Sequence, residues 1–145
     1  MNAISSRKIV LMFVVLLANI GTSLADSTTD TVVIINKDNA SHLSSEDIQA
    51  IFLGKKKSFP DGSPAVPVQL EEGSPSYEYI ALHVLHKNDA QIRAYWSQLV
   101  FTGRATPPRM VSSENEMLSL VAHNPNLIGY VPKKEVDNSV RSIEP

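Results

Sequence analysis

The chain has 145 residues, 43% of them apolar, with 13 basic and 15 acidic side chains, four histidines and no cysteine. That length suits one domain with a real core. The missing cysteine excludes a disulfide staple and the acylated cysteine of a lipoprotein, and the slight acidic excess argues against a nucleic-acid partner, which needs a basic face.

Residues 1–25 read as a secretory signal peptide. Arg7 and Lys8 form a basic start, Ile9 to Ile20 is nearly all apolar, and Ser23-Leu24-Ala25 puts small residues at a cleavage site. The apolar run is too short for a comfortable membrane span. Cleavage after Ala25 leaves residues 26–145, which carry 11 basic and 15 acidic side chains. The expected product is a single periplasmic domain that no longer spans a membrane and is held together by burial, or by a metal or ligand.

Thr31 to Asn36 is a continuous β-branched run, the pattern of a strand buried on both faces. Ser44 caps a helix, with Asp47 where a capping box places its acid. Ile48, Ile51 and Phe52 form the buried face, and Gly54 sits at the glycine position that ends a helix. Lys55-Lys56-Lys57 follows, favourably placed at the negative end of the helix dipole. Pro60-Asp61-Gly62 marks a turn. Val66 to Leu70 predicts a strand, and Pro67 within it argues for an edge strand or one that pairs late.

The next joint is the most informative. Gly73 permits a tight turn, Ser74 is a good N-cap, and Pro75 falls at the first helical position, where its missing N–H costs nothing. Tyr77, Ile80, Ala81, Val84 and Leu85 follow at helical spacing. A strand turning through Gly-Ser into a helix presents free backbone N–H groups at a positive dipole end, the ingredients of an anion site. An ordinary strand–turn–helix joint with a capping serine has the same signature.

Asn88, with Gln91 three residues on, starts a further helix whose apolar face is Ile92, Tyr95, Trp96, Leu99 and Val100; Thr102-Gly103 stops it. The two helices are expected to lie as a hairpin against one sheet face, with Trp96 as a core plug. Arg109 to Val111 is a short strand. Ser113 and Glu116 form a capping box for a helix that Pro125 ends. Ile128 to Val131 and Val140 to Ile143 are the last strands. Strands alternating with helices in this order give an α/β fold: a mixed sheet of about five strands with helices on both faces.

Several phrases in register resemble one family: IFLGKKKSFPDG at 51–62, VPV at 66–68, EGSP at 72–75, YWS and VFTG between 95 and 103, and IGYVP at 128–132. Together they resemble the short periplasmic substrate-binding proteins of phosphate ABC transporters, relatives of one lobe of type 2 periplasmic binding proteins. The resemblance covers nearly all of 26–145. It implies a single α/β lobe and a ligand site where a Gly-Ser turn meets a helix N-terminus. In larger phosphate-binding relatives the turn reads Arg-Ser-Asp-Gly-Ser-Gly-Thr. Gly73 and Ser74 match it, Ser76 replaces the threonine, Pro75 the second glycine and Leu70 the arginine. The bidentate guanidinium is therefore missing from its usual place, and Pro75 removes one amide donor.

The expected ligand-binding residues are Gly73, Ser74 and Ser76 as donors, Glu72 beside them, and Arg104, which follows Thr102-Gly103, as a source of charge. Glu71 and Glu72 would each repel a dianion by about 3 kcal/mol per unit charge at 5 Å and a dielectric near 20, although one carboxylate can also accept the proton of monohydrogen phosphate. The partners expected are a small phosphate-like anion and an inner-membrane permease or sensor, with no cofactor. The alternative is a non-transport envelope module that docks a partner protein on the same lobe. His83 and His86 sit at zinc-like spacing without an evident third ligand. No nucleophile elbow or catalytic triad motif is present, so an enzyme is not expected.

Overall fold

The computed structural model describes residues 30–145; the expected signal peptide and its cleavage point lie outside the described residues. Five strands, β1 (Thr31–Asn36), β2 (Val66–Leu70), β3 (Arg109–Val111), β4 (Leu127–Pro132) and β5 (Val140–Ile143), form one sheet in the order β3-β2-β4-β1-β5. Four helices accompany it: α1 (Ser45–Phe52), α2 (Pro75–His83), α3 (Asp89–Phe101) and α4 (Glu114–His123). The sheet is mixed. β1 runs antiparallel to β4 and β5, whereas β2 runs parallel to β3 and β4. Among the described residues no helix is long and apolar enough to cross a membrane.

β1 is buried along its whole length, and alternation divides it between two layers. Val32, Ile34 and Asn36 face α4, where the Asn36 amide donates to the carbonyls of Val121 and Ala122 at 3.1 and 2.8 Å. Thr31, Val33 and Ile35 face the other layer, where the Thr31 hydroxyl donates to Ser76 Oγ of α2 at 3.3 Å. Helices therefore cover both faces, as the strand pattern predicts.

The predicted helix starts appear as hydrogen bonds. Ser44 with Asp47 and Asn88 with Gln91 form complete capping boxes. The third box is only half made. Ser113 Oγ accepts from the Glu116 amide, but the Glu116 carboxylate turns to the amide and hydroxyl of Ser112 and lies 3.8 Å from Arg109. Partners on and beside the preceding strand outcompete a single backbone amide. α3 packs on α2, as the expected hairpin requires, and also reaches the turn after α1, with Tyr95 donating to the Leu53 carbonyl at 2.6 Å. Its end leaves Val100 53% exposed.

Pro67 does not mark an edge. β2 is an interior strand that changes partner at the proline. Val66 and Pro67 pair with β4, while Val68, Gln69 and Leu70 pair with β3. Beyond Pro67 the gap to β4 is bridged by Tyr130, whose hydroxyl accepts from the Leu70 amide at 3.1 Å. Tyr130 is buried and meets Phe52 of α1 with ring centroids 5.7 Å apart.

Two features of this core yield predictions. A Cβ on Gly129 would sit 2.3 Å from Met117 Sδ, a side chain with no exposed surface to retreat to. Gly129→Ala should cost about 1–3 kcal/mol in urea unfolding, and adding Met117→Val should recover part of that loss rather than add to it. The second feature is the Tyr77 hydroxyl, buried with no hydrogen-bond partner among the described residues. Burial pushes its pKa up to about 12, Glu72 and Asp89 add to the shift, and Arg93 opposes it. An unfolded tyrosine ionises near 10.0. Above that pH the unfolded chain holds fewer protons than the folded one, so stability should fall from pH 10 until about pH 12. In Tyr77→Phe, urea midpoints taken across that range should fall less steeply.

Candidate functional site

The candidate site begins where β2 ends. The Leu70 amide is fixed by Tyr130, and Leu70 itself is buried in the core. Glu71 to Ser74 then closes a four-residue turn, the Ser74 amide donating to the Glu71 carbonyl at 3.2 Å. Gly73 stands at its third position with φ of 82°, a left-handed conformation that glycine adopts without steric cost. A Cβ there would meet nothing within 4 Å, so the glycine answers to backbone geometry and the turn faces open space.

Ser74 is the N-cap of α2 in extended conformation, and its Oγ accepts from the Tyr77 amide at 3.3 Å. Pro75 has no N–H to offer. The Ser76 amide is thus the helix-start donor left without a partner among the described residues. The Ser76 hydroxyl plays a different part. Its side chain is buried and its oxygen accepts from Thr31, which fastens the first turn of α2 to the central strand.

The turn is acidic on one side. Glu72 lies 3.8 Å from Arg93 of α3, both half exposed. At that distance the pair is an ion pair without a hydrogen bond, and solvent screens it. The guanidinium donors of Arg93 therefore remain available. Sequence reading missed Arg93 because nothing local ties it to a turn twenty-one positions earlier; only the packing of α3 on α2 brings them together.

The other expected charge lies elsewhere. Arg104 lines a hollow with Lys56, Lys57 and Trp96, and no contact joins it to Gly73, Ser74 or Ser76 among the described residues. The structure therefore brings together Glu72, Gly73, Ser74 and Ser76 but not Arg104. His83 stacks on Tyr79 at 4.5 Å, and among the described residues no three His, Asp or Glu side chains gather as a metal site would require.

No family model matches the chain. No curated protein matches it in sequence. Solved structures do match in fold. A phosphate ABC transporter substrate-binding protein with bound phosphate from Clostridium perfringens is similar at 22% identity with a TM-score of 0.61, over 79% of this chain and 44% of its own. An ABC-type phosphate transport receptor from Vibrio cholerae is similar at 20% identity and 0.56, over 79% and 45%. PstS from Borrelia burgdorferi is similar at 16% and 0.56, over 79% and 46%. The chain spans less than half the length of each of these proteins. What it shares with them is the fold: a mixed five-stranded α/β lobe like that of periplasmic binding proteins.

Proposed function

We propose that residues 26–145 form a periplasmic lobe that binds phosphate or a similar oxyanion at the Gly73-Ser74 turn, exported by the signal peptide at 1–25 and serving an ABC transporter. The observation that carries this reading is an uncrowded Gly-Ser turn leading into a helix start whose Ser76 amide has no partner among the described residues, on a lobe that shares its fold with phosphate receptors. The Ser76 amide and the Ser74 hydroxyl proton supply donors. The dipole of α2 favours the negative charge. Glu72 accepts the proton of monohydrogen phosphate, and Arg93 supplies the positive charge that Leu70 does not. Binding of this kind involves no covalent step, so no catalytic role is assigned.

A second reading has its own support. Leu70 is buried where larger relatives would place a guanidinium, and Glu71 and Glu72 flank the turn. An envelope module that docks a permease or sensor protein, without gripping an anion itself, fits those two facts.

Calorimetry of the secreted chain with phosphate separates the readings; absence of heat and of any thermal shift at millimolar phosphate leaves only the second. Ser74 then tests the site within the first. Ser74→Asp keeps an N-cap but sets a carboxylate where the anion sits, so binding should vanish while the melting temperature holds. Ser74→Ala should weaken both, losing about 1 kcal/mol of cap energy. Arg93→Gln should lower affinity about tenfold, equal to about 1.4 kcal/mol.

A further inference from the structure

The hollow beside Arg104 stands apart from the Gly-Ser turn in its residues and in its chemistry. It encloses about 370 Å³ between the end of α1, the end of α3 and the start of β2. Both helices end at glycines in left-handed conformation, Gly54 with φ of 68° and Gly103 with φ of 66°. The Trp96 ring forms part of its wall so close to Gly54 that a Cβ there would stand 3.2 Å from the ring. Ile51, Ala65 and Val100 add apolar lining, while Lys57 and Arg104 border it with charge.

The charge is uncompensated. Lys56 gives its ammonium to Asp47 at 2.7 Å, whereas Lys57 and Arg104 have no acidic partner within 4 Å among the described residues. The helix ends alone do not account for these cations. Backbone amides already take the carbonyls of Gln49, Ala50 and Ile51 at the end of α1 and of Gln98, Leu99 and Val100 at the end of α3. Two such cations beside an apolar, aromatic-walled concavity form an unusual patch on a chain with more acidic than basic residues.

We propose that this hollow binds a small organic anion, an acidic group carried on a single apolar ring or short chain. The acid pairs with Arg104 and Lys57, and a guanidinium fork suits a carboxylate or phosphate ester. The apolar body lies against Trp96 and Val100. The volume falls at the lower end of the range for small-molecule sites. Inorganic phosphate gains nothing from the apolar wall and keeps its hydration, so this site discriminates against the ion proposed for the Gly73-Ser74 turn and does not depend on that proposal.

Trp96 is the only tryptophan in the chain; its ring borders this hollow and also the one that Glu72 and Arg93 line, so substitution assigns the response to one or the other. Phenyl phosphate titrated into the secreted chain should change the emission saturably, with a midpoint at or below the millimolar range. The response should be unchanged in Ser74→Ala. It should weaken about tenfold in Lys57→Ala with Arg104→Ala, the loss expected for removing two charge-assisted hydrogen bonds to the acid. Both side chains are exposed, and an unchanged melting temperature will show that the fold survives. Inorganic phosphate at equal concentration should not displace phenyl phosphate from this hollow. The proposal is overturned if phenyl phosphate gives no saturable change at millimolar concentration, if the change survives the double substitution, or if inorganic phosphate at equal concentration displaces phenyl phosphate.

Discussion

The structure depends on how β2 parts from β4. A strand with proline at its second position loses one ladder donor, and here the loss falls where the strand exchanges one parallel neighbour for another. The divergence would leave the Leu70 amide unsatisfied in the core, at a cost of about 1–3 kcal/mol. Tyr130 prevents this by reaching from β4 with its hydroxyl. One side chain therefore fills the wedge, holds the end of β2 and sets the point from which the Gly-Ser turn departs. Its phenol is pushed well above the usual tyrosine range by burial, with the Leu70 hydrogen bond acting against that rise. The hydroxyl thus stays protonated throughout the physiological range.

Much of the fold was legible because it is encoded locally. Capping serines and asparagines, the Pro75 start of α2 and the glycine after α1 act within a few residues, and each appears where the sequence places it. The unbroken apolar run of β1 announced burial on two sides, and the Asn36 and Ser76 hydrogen bonds realise it. What failed to show was non-local. Pro67 looked like an edge signal because a single strand does not reveal that its partners change halfway. The Glu116 carboxylate went to Ser112 because the preceding strand, not the helix, decides what lies within its reach.

The same division runs through the candidate site. Gly73 and Ser74 were readable as a turn and a cap, and the geometry of both follows from their own chemistry. Sequence alone offers Ser76 as a donor; the structure buries its hydroxyl, which accepts from Thr31, and leaves its amide without a partner among the described residues. Arg93 and Arg104 could not be sorted from sequence. One lies within α3 and the other just past its end, and only the placement of that helix decides that the first meets Glu72 while the second borders the Trp96 hollow. Charge placement is thus a tertiary property here, even where the anion-attracting backbone is a local one.

One further consequence comes from the sheet order. β1 and β5 lie side by side in opposite directions, with Val33 facing Ile143. Lys133 ties the two ends of the described chain together, its amide on the Asp30 carbonyl and its ammonium on Glu144. A unit whose two ends emerge at one corner can be spliced into a loop of another polypeptide, or excised from it, without cutting the sheet.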